Sequence, residues 1–297
     1  MKNEIFNRKL FRKVIQDTER CVDLEAIKSI GNKKATAWYQ KNNLPHEPGL
    51  IYWLYLIGRS VEGKKVNFYD IGSAYGYYAL VVPRFFDIAR ITVVEGNPHS
   101  AAFISQLLQK KLLVEETQVL NYVLGDRPAL NWIGIEGFNL ITLAHPIFYR
   151  LKIFSKNLVK IIINLFFNKI YVIRAPNVSK IRVEPLLAVL ETRSLDQIDV
   201  LKIDAEGSQA VFLPPAVDAL IARNVLILME IDRPEVMANF GVSTDQLIEK
   251  FVACGYQLFL GDHRLREKFD FSEISIDQLI SYERNALLVL LPPVLNH

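Results

Sequence analysis

Residues 67–76 read Asn67-Phe68-Tyr69-Asp70-Ile71-Gly72-Ser73-Ala74-Tyr75-Gly76, an apolar run that ends in an acid and passes into a turn with two glycines. This stretch limits the possible folds more than any other. A parallel strand ending in a tight glycine turn brings bare backbone up to a ligand, because glycine has no Cβ to block the approach or forbid positive φ. A second apolar run, Ile91-Thr92-Val93-Val94-Glu95, ends 95 − 70 = 25 residues after Asp70. That is close to the offset of about 20 at which an acid accepts hydrogen bonds from ribose hydroxyls. A third run ends at Gly125-Asp126 and a fourth at Asp204. Ligands of open α/β sheets sit at strand carboxyl ends, so the ordered set predicts a nucleoside-cofactor site.

The glycine spacing narrows the cofactor. Gly72 and Gly76 give D-x-G-x-x-x-G rather than the dinucleotide G-x-G-x-x-G, and acids at the strand ends would repel a pyrophosphate. A cationic, phosphate-free nucleoside suits them better, and S-adenosylmethionine is the common one. Gly96-Asn97-Pro98 also reads as a helix start, with Asn97 as cap and Pro98 at the first helical position. Both readings of Glu95 and its neighbours hold together.

From Val66 onward apolar strands and helical patterns alternate: strand 67–71, helix 76–86, strand 91–95, helix 98–110 and strand 117–123. The order breaks over 127–185 and resumes with strand 199–204, a helix from about Ser208 to Ala222, strand 225–231, helix 244–254, and strands 256–260 and 285–291. The expected fold is α/β: a Rossmann-like, doubly wound, seven-stranded, mostly parallel sheet closed by an antiparallel carboxyl-terminal hairpin. Residues 1–60 read as a helical amino-terminal cap, in which Pro48 starts a helix that Gly58 stops. The remainder, 61–297, reads as the cofactor domain, with 127–185 as an insertion in which substrate choice is expected to lie.

The 297 residues are 51% hydrophobic and carry a formal charge of +3, too little for the concentrated basic face that nucleic acid requires. Cys21 and Cys254 lie far apart without metal-ligand spacing, as in a reducing compartment. The first residues lack the apolar core of a secretion signal, and a cytoplasmic protein is expected. The apolar stretch 147–173 contains five basic residues and does not read as a membrane span. Within it Lys152, Lys156 and Lys160 repeat every four residues opposite Phe154, Leu158, Ile161 and Ile162, an amphipathic basic helix. Such a helix packs on the domain or at a homo-oligomer interface with solvated lysines. Its other reading is a peripheral contact with anionic lipid through 150–169.

Five elements in order, Asp70–Tyr78, Val94-Glu95-Gly96-Asn97-Pro98, Arg193-Ser194-Leu195-Asp196, Leu201-Lys202-Ile203-Asp204-Ala205-Glu206-Gly207 and Leu228-Met229-Glu230-Ile231, resemble the FkbM family of S-adenosylmethionine-dependent methyltransferases. The resemblance covers roughly 47–291, and K-x-D-x-E-G is its most specific part. It implies a class I methyltransferase in which Asp70, Gly72, Ser73, Ala74, Gly76 and Tyr77 border the methionine part of the cofactor. On the same footing Glu95, Gly96 and Asn97 hold the ribose, and Asp126 lies near the adenine. It further implies O-methylation of a hydroxyl on a sugar, glycan or polyketide-type small molecule. An N-methyltransferase is one alternative, and a non-catalytic module docking on a membrane or partner through the basic helix is another.

A hydroxyl is a poor nucleophile, so a base positioned near the methyl is worth about 10² to 10⁴ in rate. Asp204 and Glu206 are the leading candidates, and His145 is a third in the insertion, ahead of His263 in a polar hairpin. Glu206 has two further readings. It could join Asp204 with Glu230 or Asp232 in an oxygen-ligand site for Mg²⁺, or it could cap the following helix. Lys202, two residues before Asp204, falls on the same strand face and could form a plain internal ion pair with it.

Overall fold

The computed structural model describes residues 7–41, 46–111, 117–136, 139–143, 177–190, 197–280, 282 and 286–295. His145 and the lysines at 152, 156 and 160 lie outside the described residues.

Four helices come first: α1 (Arg8–Glu19), α2 (Leu24–Ser29), α3 (Lys33–Lys41) and α4 (Pro48–Ser60). The side chains of Asn7 and Asp23 accept the leading amides of α1 and α2, satisfying donors that a helix start otherwise leaves open. α1 buries only Phe11, Val14 and Thr18, one stripe at helical spacing. α4 is apolar all round and buries Leu50 to Leu54 and Ile57, each full burial being worth roughly 1.5–3 kcal/mol. Pro48 opens α4 as expected, but Gly58 does not stop it. A Cβ at Gly58 would lie 2.3 Å from the Phe85 carbonyl oxygen, so this glycine permits a close helix contact instead.

The main sheet contains β1 (Lys65–Ile71), β2 (Asp87–Val94), β3 (Thr117–Leu120), β8 (Gln197–Ile203), β9 (Leu226–Ile231), β10 (Gln257–Asp262), β11 (Asp270–Ile274) and β12 (Ala286–Leu291). Its order is β11-β10-β12-β9-β8-β1-β2-β3. β3, β2, β1, β8 and β9 run parallel, and β12 inserts antiparallel between β9 and β10. The fold is therefore the expected Rossmann-like α/β class with an antiparallel carboxyl-terminal hairpin. Its eight strands exceed the expected seven because the polar β11 pairs with β10 at the edge, where alternating exposure leaves no apolar run to read.

Both faces of the sheet are covered, which is why its central strands are apolar throughout. Phe68, Val93, Val200 and Leu228 share one core with α1–α4. Tyr69, Ile71, Leu201, Ile203 and Met229 share the other with the helices that follow β8 and β9. The expected helix at 208–222 divides at Pro214-Pro215 into short pieces. Likewise 76–86 shortens to α5 (Tyr77–Val81) and a 3₁₀ turn at Pro83, and β2 begins at Asp87, earlier than its apolar part.

The expected third strand splits at Asn121. Its first half is β3, and its second half, β4 (Tyr122–Gly125), belongs to a separate sheet with β5 (Ala129–Glu136), β6 (Asn139–Leu143) and β7 (Asn177–Pro185), in the order β4-β7-β5-β6. The Asn121 side chain donates to the Glu95 and Gly96 carbonyls, fastening the crossover to the end of β2. Among the described residues no helix is long and apolar enough to cross a membrane.

Candidate active site

The strand order reverses between β1 and β8, and the carboxyl ends of this pair form the crevice where such sheets bind ligands. The two ends touch. The Asp204 amide donates to the Ile71 carbonyl at 3.0 Å, and a Cβ on Gly72 would stand 1.8 Å from the Asp204 carbonyl oxygen. Gly72 also has φ +75°, so glycine is required there by space and by conformation. The turn continues with Ala74 at φ +54° and Gly76 at +77°. Its carbonyl at Tyr75 accepts the Tyr39 hydroxyl of α3 at 2.8 Å.

Glu95 ends the neighbouring strand and spans the turn. One carboxylate oxygen accepts the Ala74 amide at 2.8 Å and the other the Asn97 amide at 2.6 Å. Asn97 in turn caps helix α6 (Pro98–Lys110) through the His99 amide, so the cap reading of Asn97 and Pro98 holds. Burial pushes the Glu95 carboxyl up to about 7, and the nearby Asp70 charge adds to this against the two amides and Lys202. Asp70, Ser73, Glu95 and Asn97 are buried, whereas Gly72, Ala74 and Gly96 keep part of their surface open.

Beneath the turn Lys202 Nζ lies 3.3 Å from Asp70 Oδ1, 3.7 Å from Asp204 Oδ2 and 3.3 Å from the Gly72 carbonyl. It also stands 5.2 Å above the Tyr78 ring. Burial works to lower the Lys202 ammonium, but the charges of Asp70, Asp204 and Glu47 outweigh it and hold it above its ordinary range. The Ser73 hydroxyl donates to the other Asp70 oxygen at 2.6 Å. The expected internal ion pair thus forms, with Asp70 rather than Asp204 as the nearer partner.

Asp204 remains a third exposed. Burial raises its carboxyl, Lys202 opposes this, and Glu47 and Asp70 reinforce it. Glu206 follows at φ +51°, exposed, with its carboxyl raised by partial burial and then by Asp204 and Asp232. The short helix after it, Gln209–Phe212, has no side-chain cap, so the cap reading of Glu206 finds no hydrogen bond.

A group that sequence reasoning did not assemble stands beside Asp204. Glu47, at the start of α4, lies with Oε1 at 3.2 Å from His263 Nε2, and Glu230 Oε2 lies 3.7 Å from the same nitrogen. The Tyr78 hydroxyl donates to the second Glu47 oxygen, and Arg264 Nη2 donates to Glu230 Oε1 at 2.6 Å. Burial alone would raise Glu47, but the adjacent His263, with His46 and Lys202, holds it below the usual carboxylate range. Burial and the Asp204 and Glu47 charges push Glu230 up to about 7. His263 was legible as a lesser candidate base in a hairpin, and Glu47 carried no reading.

Two other expected cofactor residues are Tyr77 and Asp126. The Tyr77 ring is buried against Trp38, His46 and Tyr78, turned into the helical layer, so what its position offers the turn is backbone. Asp126 is exposed in the bend after β4, in the second sheet, six residues beyond Leu120, whose carbonyl accepts the Glu95 amide at 3.0 Å.

No protein-family model matches this chain, and no curated protein matches it. Among solved structures it is similar to methyltransferase FkbM from Methylobacillus flagellatus KT, at 13% identity and TM-score 0.42 over 75% of this chain. This chain spans 43% of that protein's length. It is similar to an O-methyltransferase from Bacillus cereus in complex with SAH, at 12% identity and TM-score 0.41 over 96% of this chain and all (100%) of that one. It is also similar to the O-methyltransferase TomG from Streptomyces achromogenes, in complex with SAM, at 9% identity and TM-score 0.41 over 98% and 93%.

Proposed function

We propose that this chain is an S-adenosylmethionine-dependent methyltransferase that methylates a hydroxyl of a sugar, glycan or polyketide-type small molecule. The observation that carries the reading is Glu95, held by the Ala74 and Asn97 amides across the glycine turn from Asp70. Two amide donors orient the carboxylate and leave each oxygen a further lone pair, which suits the paired hydroxyls of a ribose. Asp70 lies buried with Lys202 Nζ 3.3 Å from its Oδ1, and Asp204 stands at the next strand end. Three acids around open backbone outnumber the single Lys202 ammonium beneath it, which favours a cation over a phosphate.

Asp70, Gly72, Ala74 and Gly76 would line the amino-acid end of the cofactor and Glu95 its ribose. The bound cofactor supplies a methyl group already activated by its sulfonium. The chain then has two tasks: to hold the acceptor hydroxyl in line, and to take its proton as the new oxygen–carbon bond forms. Asp204 and Glu206, just after β8, would take this role, and burial raises both carboxyls. The choice of a hydroxyl acceptor rests on the resemblance alone.

Calorimetric titration with S-adenosylmethionine tests the reading on wild type and Glu95→Ala. Micromolar binding that the variant loses is expected. A folded wild-type protein that binds neither S-adenosylmethionine nor its demethylated product would end the methyltransferase reading.

A further inference from the structure

Glu47, Glu230 and His263 come from three separated segments: the start of α4, the end of β9 and the turn after β10. One oxygen of each carboxylate and one ring nitrogen of the histidine lie within 4.8 Å of one another. His263 Nε2 is at the centre, 3.2 Å from Glu47 Oε1 and 3.7 Å from Glu230 Oε2. Ligands at about 2.1 Å from one ion stand roughly 3.0–3.5 Å apart, so two of the three separations need little or no adjustment.

The outer contacts are arranged as around a coordinated ion. Tyr78 donates to the Glu47 oxygen that faces away from His263, and Arg264 to the corresponding oxygen of Glu230. Each carboxylate is thereby fixed by one oxygen with the other turned inward, as outer partners fix metal ligands. His263 is 1% exposed; Nδ1 has no hydrogen-bond partner, and Nε2 faces the Glu47 carboxylate at 3.2 Å without hydrogen-bond geometry. A cation at Nε2 would give that buried nitrogen a partner.

Backbone strain and charge agree. Glu47 holds φ +53°, unusual for a residue with a Cβ, and such strain collects at functional sites. The Gly49 amide donates to the His263 carbonyl at 2.8 Å, and a Cβ on Gly49 would lie 2.8 Å from His263 Cα, so the two segments are locked together. Lys202 pairs with Asp70 and Asp204 and Arg264 with Glu230, while among the described residues Glu47 meets the imidazoles of His263 and His46. Four acids against the cations Lys202 and Arg264 leave an acidic surplus that a divalent ion offsets.

We propose that Glu47, Glu230 and His263 bind one divalent transition-metal ion, tying the amino-terminal helices to the β9–β10 end of the sheet. One imidazole with two carboxylates suits Zn²⁺, Mn²⁺ or Fe²⁺ better than the all-oxygen shells of Mg²⁺ and Ca²⁺. This site shares Glu230 with the Mg²⁺ site suggested by the sequence but uses Glu47 and His263 in place of Asp204 and Glu206, and it stands whether or not the chain transfers methyl groups.

The test uses tag-free full-length protein stripped with a chelator and titrated calorimetrically with Zn²⁺ and with Mn²⁺ alone, alongside thermal melting. One equivalent of at least one ion, a higher melting temperature on binding, and a tenfold or greater loss of affinity in both Glu230→Gln and His263→Gln are expected. Circular dichroism confirms that each variant is folded. Should one variant not fold, the other with the wild type decides. No binding of either ion to folded wild type, or binding unchanged in a folded variant, would overturn the proposal.

Discussion

Lys202 and Asp70 are direct neighbours across β8 and β1, and the ammonium lies 3.3 Å from Asp70 Oδ1 with both side chains shut off from water. Removing one partner of such a buried pair strands the other's charge, at about 3–5 kcal/mol. Lys202→Met should therefore lower stability in urea unfolding by that amount. Adding Asp70→Asn to it should recover part of the loss. A double variant no more stable than Lys202→Met would show that the stranded carboxylate is not the cause.

Gly72 and Gly31 separate conformation from space. Both have positive φ, +75° and +80°, but a Cβ at Gly31 meets nothing within 4 Å, while one at Gly72 would overlap the Asp204 carbonyl. Gly31→Ala should cost about 1–2 kcal/mol, the backbone penalty alone. Gly72→Ala must also part the ends of β1 and β8 and should lose at least twice as much. Equal midpoints for the two variants in urea would mean that the strand ends separate freely.

The glycine turn, the apolar strands and the cap at Asn97 were legible because each is signalled within a few residues. The same holds for the pairing face of Lys202, which follows from strand alternation. The meeting of Glu47, Glu230 and His263 carries no such signal: it depends on sheet order, above all on β12 inserting between β9 and β10. The left-handed backbone of Glu47 is likewise invisible in a residue that ordinarily avoids it. Asp126 near the adenine is what the resemblance implies, and residues 117–123 before it read as one strand. The break at Asn121 hands the second half to another sheet, and only the long-range pairing of β4 with β7 reveals it.

Glu95 should make both stability and ligand binding depend on pH. Its carboxyl is pushed from an ordinary 4.5 up to about 7, chiefly by burial. Between those values the folded chain holds a proton that the unfolded chain has released, so stability falls as pH rises through the window, by about 3 kcal/mol from this group. Glu95→Gln should flatten that slope. S-adenosylmethionine affinity should rise from pH 6 to 8 as the carboxylate forms and becomes a better acceptor for ribose hydroxyls. Urea midpoints and calorimetry across this range check both, and an affinity that falls with pH would contradict the ribose role.

The Tyr39 hydroxyl carries the coupling between the helical layer and the glycine turn, donating to the Tyr75 carbonyl at 2.8 Å from a ring that is 1% exposed. Tyr39→Phe keeps the ring and leaves a buried carbonyl without its donor, a loss of about 1–3 kcal/mol. Tyr75 sits between Ala74, whose amide holds Glu95, and Gly76, whose amide closes the turn on the Ser73 carbonyl at 3.0 Å. A shift of the Tyr75 peptide therefore moves the backbone that would face the cofactor, although Tyr39 itself lies in α3. Tyr39→Phe should lower the melting temperature and weaken S-adenosylmethionine binding several-fold. Reduced stability with unchanged affinity would show instead that the Glu95 clamp and the Ser73–Gly76 turn hold the site without help from the amino-terminal helices.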